Sequence, residues 1–324
     1  MRNIQYLRQK QGQSSRPRNP HMPETISSLP ALTENDYPAV YLAADRTSRM
    51  AQKRHLWFTG LILGALVACA VLGTLSGVFP RYGKVLALCS TAWAATSFML
   101  TSMRKALKPE KAWYSGRAVA ESAKSLAWRY MTDADPYPIS LPSGEADGKF
   151  LSDLKALSKD QTPVALGFGG EFSDRPQISS RMRQVRSLPL EQRRQLYVTG
   201  RIEDQRKWYG DKARKSQKVA NRYFVVIQLS QALALGGTVL LFSAAASKWN
   251  LSGIFSALAS ALIAWLQVRQ HDELSQTYSV AALDLGFIEE QGAAITTEKD
   301  LSSLVADAEN TLSREHSLWI TRHN

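Results

Sequence analysis

Four long stretches without a charged side chain limit what this sequence can become. Residues 56–79 and 85–103 form one pair, separated by Pro80, Arg81, Tyr82, Gly83 and Lys84. Residues 223–247 and 249–268 form a second pair, separated by Lys248 alone. A helix rises about 1.5 Å per residue, so about 20 residues cross the ~30 Å hydrocarbon layer. Each pair therefore predicts a transmembrane helical hairpin. Buried helices of soluble proteins seldom run this far without a charge. The expected fold class is an all-α membrane protein, with two transmembrane helical hairpins and long cytoplasmic helical extensions. The overall hydrophobic content of 44% resembles that of a soluble protein only because the apolar residues are pooled in the spans.

The net charge of +12 is distributed in the same pattern. Arg46, Arg49, Lys53 and Arg54 precede the first span, and Arg104, Lys105, Lys108 and Lys111 follow the second. Lys212, Arg214, Lys215, Lys218 and Arg222 precede the third, while Arg269 alone follows the fourth. The intervening turns hold only Arg81, Lys84 and Lys248. Lys and Arg stay on the cytoplasmic side. The expected arrangement is multi-pass in the bacterial inner membrane, with four spans, both termini and the middle cytoplasmic. This bias accounts for the basic balance, so no direct nucleic-acid binding is expected.

Taken in order, residues 1–35 read as a disordered tail rich in polar and basic residues. Residues 36–131 read as a first module. Within it, Ala112, Val119, Ala123, Leu126 and Tyr130 recur at helical spacing after Pro109. Residues 132–188 carry Asp135-Pro136-Tyr137-Pro138 and Leu141-Pro142-Ser143-Gly144, and read as a linker region. Residues 189–324 read as a second module. Its lead-in helix carries the stripe Val198, Ile202, Tyr209, Ala213 and Ala220 and runs straight into the third span. Glu203 with Lys207, and Asp211 with Lys215, have favourable i,i+4 order. Beyond the fourth span, Leu274, Tyr278, Ala281, Leu285 and Ile288 share a face. Thr297 and Asp300 predict a capping box. A closing helix then lines up Leu301, Leu304, Val305, Ala308, Leu312 and Trp319, with Glu309, Arg314 and Glu315 on its polar remainder. The strings before the two hairpins, Ser48-Arg49-Met50-Ala51-Gln52-Lys53 and Ala213-Arg214-Lys215-Ser216-Gln217-Lys218, echo each other. The order of elements repeats with them, as in two copies of one module.

Polar and small residues inside the spans are the candidate functional positions. Gln228 and Gln231 are three apart on the third span, and an amide in hydrocarbon seeks a partner or a wetted cavity. Thr91 and Ser97 are the corresponding hydroxyl candidates on the second span, for a pore or an interhelical bond. Gly60 with Gly64, and Gly73 with Gly77, have the GxxxG spacing that lets helices approach closely.

No constellation of residues predicts catalysis. His21, His55, His271, His316 and His323 have no zinc-ligand rhythm, and Cys69 and Cys89 lie within spans. Gly167-Phe168-Gly169-Gly170 lacks the Lys-Ser/Thr that completes a phosphate loop. The expectation is a non-enzyme with no cofactor and no metal.

The second module resembles the SLATT family of two-span membrane domains. Tyr197, Arg201-Ile202, Asp204-Gln205 and Trp208-Tyr209 match its lead-in pattern. Tyr278, Ala281-Ala282 and Leu285 resemble its post-hairpin helix, and Asp307-Ala308-Glu309, Leu312-Ser313-Arg314-Glu315-His316 and Trp319 its closing segment. The first module is similar to a different branch through Trp113, Arg117, Ala120-Glu121, Lys124 and Trp128-Arg129-Tyr130. The resemblance implies a pore-forming or membrane-perturbing effector of a bacterial conflict system, controlled by a partner sensor. No stretch here reads as a sensor, so the trigger is expected from a separate cytoplasmic sensor or activator, or from binding to the cytoplasmic helices. The expected partners are the bilayer and further copies of the chain. The alternative is a non-catalytic membrane scaffold that recruits cytoplasmic partners.

The charge bias predicts that cysteines introduced at Tyr82 or Asn250 react with an impermeant reagent added to whole cells, and one at Gly144 does not. Labelling at Gly144 in intact cells would overturn the topology.

Overall fold

A computed structural model describes residues 32–159, 172–240 and 249–321, with side chains described as far as Ser313. The Gly167–Gly170 turn, the last residues of the third span and the Arg314–Trp319 side chains lie outside the described residues. The described chain is helical, without a strand.

Thr33 stands near the start of the described residues. Its backbone N–H and hydroxyl both donate to Asp36, fixing a single turn over Glu34–Asp36. Helix α1 then runs over Ala39–Val78. No proline interrupts these 40 residues, which at about 1.5 Å each give twice the length a bilayer core needs. The surplus is the first half, where Ala39, Ala43 and Ala44 are fully buried in a helical head. The second half is the first span. Pro80–Tyr82 form a tight turn, and α2 (Gly83–Leu107) returns.

Lys108 ends α2 with φ 43, in the left-handed region, and Pro109 starts α3 (Pro109–Met131) at the position where a missing N–H costs least. The chain turns on that one residue, and α3 packs back on the head half of α1. Gly116 makes the seam tight, since a Cβ there would lie 3.1 Å from both the Ala44 carbonyl oxygen and the Ser48 nitrogen. The Ser48 hydroxyl donates to the Trp113 carbonyl at 3.0 Å.

The second module repeats this construction. Helix α6 (Leu190–Tyr197), a wide π turn (Val198–Glu203) and α7 (Asp204–Leu240) lead into the third span. The fourth span is α8 (Leu251–Arg269). Gln270 stops it with φ 47, and α9 (His271–Gly292) packs back on α7. The Ser275 hydroxyl donates to the Ala213 carbonyl at 3.1 Å, a serine pin at the corresponding seam. Helix α10 (Glu298–Thr321) closes the chain. Thr297 caps it, with its hydroxyl donating to Asp300 at 2.7 Å and accepting the Asp300 N–H at 3.2 Å.

Residues 132–188 are more than a linker. Helices α4 (Ser143–Ser158) and α5 (Ser180–Arg186) pack on α3. Phe150, Met182 and Val185 are fully buried in the same hydrophobic cluster as Trp128, Tyr197, Leu285 and Leu301. The prolines that read as linker signals set the corners of packed helices, as Pro142 does immediately before α4. Within the lead-in helix, Glu203 pairs with Lys207 as expected, but Asp211 pairs with Arg214 rather than Lys215.

The head is thus one core shared by both modules, while the spans pack in the order α2–α1–α8–α7. The four helices are long and apolar enough to cross a membrane, and their apolar side chains point outward. Leu88, Phe98, Leu235 and Val239 are each about 70% exposed or more, which in water would be untenable and in lipid is the favoured state.

The Gly116 seam predicts that Gly116→Ala lowers stability by about 1–3 kcal/mol, because the crowding atoms are mostly backbone. Gly64→Ala, with nothing within 4 Å of its Cβ, should stay within about 0.5 kcal/mol of wild type. Thermal unfolding of the two purified variants in one detergent tests the contrast.

Candidate functional site

The polar residues of the spans fall on different surfaces. Ile227, Ser230 and Gly237 are the buried positions of the α7 span, so these residues mark the side that packs on α8. Gln228 and Gln231 each follow one of them by one residue, a turn of about 100°, and are exposed. Among the described residues neither amide has a hydrogen-bond partner. Thr91 is also exposed, and its hydroxyl donates to its own helix at the Ala87 carbonyl, 3.0 Å away. Ser97, by contrast, is buried where α2 meets α1. Helices α7 and α2 are the two ends of the row of spans, so both Gln residues and Thr91 lie on edge helices.

The glycines divide in the same way. A Cβ on Gly60 would rest 3.6 Å from the Trp265 ring, and one on Gly73 would rest 3.5 Å from the Ser90 hydroxyl. Gly60 therefore joins the two hairpins and Gly73 joins α1 to α2, while Gly64 and Gly77 meet open surface. The Ser90 hydroxyl donates across that second seam to the Cys69 carbonyl at 2.9 Å. Among the described span glycines the tightest is Gly237, where a Cβ would lie 2.8 Å from the Ser252 nitrogen. No GxxxG spacing marks it, so pattern reading passes over it.

The head holds a site that the closing-helix pattern misplaced. Glu309 was expected on the polar remainder of α10, yet it is completely buried. Arg201 donates to it twice, Nε to Oε1 at 2.9 Å and Nη2 to Oε2 at 2.8 Å. The Tyr197 hydroxyl adds a third bond to Oε1 at 3.0 Å. A buried carboxylate is tolerated only when paired and hydrogen-bonded, and here both oxygens are satisfied. Burial works against the Arg201 charge, but Glu309 outweighs it and pushes the guanidinium pKa up. Burial, then Glu309, push the Tyr197 phenol well above its ordinary value, so it stays a donor. The π turn presents this pair. Its extra residue per turn breaks the helical register between Tyr197 and Asp204, and such turns collect at functional sites. Trp128 of the first module packs edge-on against Tyr197, ring centroids 5.4 Å apart, so the lock touches both modules.

A second ionic cluster lies beside it. Arg193, only 1% exposed, donates to the Thr132 carbonyl at 2.7 Å and to Glu298 Oε1 at 2.5 Å, and pairs with Asp133 at 3.1 Å. Arg186 reaches the other Asp133 oxygen at 2.7 Å. Burial pushes the Asp133 carboxyl pKa up, against Arg186 and Arg193. Glu298 opens α10 and Glu309 sits mid-helix, so α10 is tied at two points a few turns apart. Sequence pattern shows none of this, because each residue is an ordinary charge in a polar stretch.

Two hairpins of spans, each with a helix folded back on its own lead-in and both sharing one head, define a tandem two-span membrane protein. Residues 38–194 match the family described as SMODS and SLOG-associating 2TM effector domain 3, and residues 197–319 match domain 1 of that series. The chain belongs to the SLATT family, as two modules of different branches in tandem. It is therefore a membrane protein, with four candidate spans. The first match runs through α4, α5 and most of α6. No curated protein and no solved structure matches the chain.

The lock predicts an asymmetric response to mutation. Glu309→Leu alone strands a buried guanidinium and should cost about 3–5 kcal/mol. Arg201→Met with Glu309→Leu should recover most of that loss, since an apolar pair fills the same space without a charge. Thermal unfolding of the single and double variants measures it. A double variant no more stable than Glu309→Leu would deny that the cost is electrostatic.

Proposed function

We propose that this chain is an oligomeric pore-forming or membrane-perturbing effector of a bacterial conflict system. It sits in the inner membrane with its head and both termini in the cytoplasm, which the excess of Lys and Arg at the head-side ends of the spans supports. It performs no chemistry of its own. A separate cytoplasmic sensor or activator acts on the head.

One observation carries the reading. Gln228 and Gln231 face outward from an edge helix, in the head-side third of the membrane, with no partner among the described residues of their own chain. Two amides left against lipid are unfavourable, so they call for either a second protein surface or water. A row of four helices with two open edges favours repeated side-by-side association, and a head-to-tail contact between unlike edges gives a ring where the rotation closes. In such a ring the amides line the head-side mouth, and Thr91 offers a hydroxyl surface on the opposite edge. A scaffold without a pore would use the outward amides only as contacts to another helix.

The expected effect of Gln228→Leu with Gln231→Leu is loss of ion flux in liposomes with insertion and assembly intact, because apolar side chains dry a narrow mouth. Leucine keeps the helix, so folding is not the variable. Flux is compared at equal amounts of inserted, cross-linkable oligomer, under conditions where the wild type conducts. Unchanged flux would remove the amides from the conduction path. Loss of assembly together with flux would make them interhelical glue.

A further inference from the structure

Where the two modules meet at the membrane end of the head, they leave a cleft of about 550 Å³. Leu56, Val219 and Val268 give it an apolar floor continuous with the spans. Tyr223, which opens the third span, and Trp265, near the end of the fourth, stand beside it, with the Trp265 indole N–H donating to the Tyr223 hydroxyl at 3.0 Å. Such aromatic pairs sit at the level of lipid headgroups. The cleft is therefore at headgroup depth.

Its charge is of one sign. Arg49 and Arg117 come from the first module, and Lys212, Lys215 and Arg269 from the second. No Asp or Glu is among its lining residues. Arg49 is paired with Asp45 and Glu34, and Arg117 with Glu121. Among the described residues no carboxylate lies within ion-pair distance of Lys212, Lys215 or Arg269. Asp211 precedes Lys212 but pairs with Arg214, and Asp272 and Glu273 stand in the first turn of α9. Burial, then Lys215, Arg117 and Arg269, hold the Lys212 ammonium below its ordinary pKa, as expected where cations crowd without an anion. His271 also lines the cleft, and its Nδ1 is buried without a hydrogen-bond partner. It begins α9, so the positive end of that helix opens here as well.

We propose that this cleft binds a phosphate ester, and that its resident ligand is the headgroup of an anionic phospholipid held between the two modules. A phosphate supplies the missing negative charge to Lys212, Lys215 and Arg269 at once, and accepts from the unpaired ring nitrogen of His271 when that nitrogen carries the proton. The apolar floor favours lipid over a free phosphate, because acyl chains leave the site along the spans while the headgroup stays at its natural depth. Basic pockets between spans on the cytoplasmic side are where anionic headgroups bind. The inference depends on the cleft alone and holds whether or not the chain conducts.

The test uses the full chain in a mild zwitterionic detergent, with the thermal midpoint and tryptophan fluorescence as readouts. The probes are dihexanoyl phosphatidylglycerol, dihexanoyl phosphatidylcholine and ATP. Phosphatidylglycerol should raise the midpoint, and phosphatidylcholine should not. Lys212→Met with Lys215→Met should weaken the response about tenfold or more, from roughly 1 kcal/mol per lost cation. Lys212→Arg with Lys215→Arg should keep it. Arg214→Met with Lys218→Met removes the same charge from the same helix outside the cleft and should leave it unchanged. If the methionine pair does not fold, Arg269→Met takes its place. A response to ATP but not to phosphatidylglycerol, lost in the cleft variant, would keep the phosphate site and overturn the lipid. Equal responses to the two lipids, or equal losses in the cleft and control variants, would overturn the site.

Discussion

The buried pairing of Arg201 with Glu309 is the interaction on which the head depends. Neither charge tolerates a dry interior alone, so the π turn and α10 are obliged to meet, and in one register. Tyr197 completes the carboxylate, and Trp128 covers the tyrosine. Through that short chain of contacts a helix at the end of the sequence is joined to a helix of the first module. Arg193 repeats the device at the start of α10, drawing Glu298 and Asp133 together. Two ionic ties on one helix fix its direction as well as its position.

The membrane part obeys a different constraint. In hydrocarbon there is no gain from hiding leucine from lipid, so helices associate through small residues, fitted shapes and a few hydrogen bonds. Gly60 against Trp265, Gly73 against Ser90 and Gly237 against the start of α8 are those places here. The result is a row with free edges rather than a closed bundle. The head is closed and specific, while the spans are open at both ends.

The two modules are the same device, differently finished. Each turns on one left-handed residue, Lys108 or Gln270, and each pins the returning helix with a serine hydroxyl. They differ in what covers the returning helix. In the first module α4 and α5 pack on α3, and in the second α10 packs on α9 and also reaches α3. That shared use of α3 makes one head out of two modules. It also leaves the basic cleft at the junction, lined from both sides.

Much of this was legible in the residues alone. The four uncharged runs determined the spans, because the length of an uncharged apolar stretch needs no tertiary information. The stripes Ile202, Tyr209, Ala213, Ala220 and Leu301, Leu304, Val305, Ala308 determined which helix faces would be buried, because helical period is local. Thr297 with Asp300 marked the start of α10 for the same reason. What only the tertiary structure decided is which charges go inside and which polar residues face out. Glu309 looks like any solvated carboxylate until Arg201, 108 positions away, is placed beside it. The prolines of 132–188 signal breaks in helix, and only the packing of Phe150 and Met182 turns those breaks into corners of a core. Gln228 and Gln231 were visible as polar residues in a span, but their outward direction depends on where α8 packs against α7. Pairings between distant residues follow from how whole helices are set against one another, and a period or a local spacing carries no record of that.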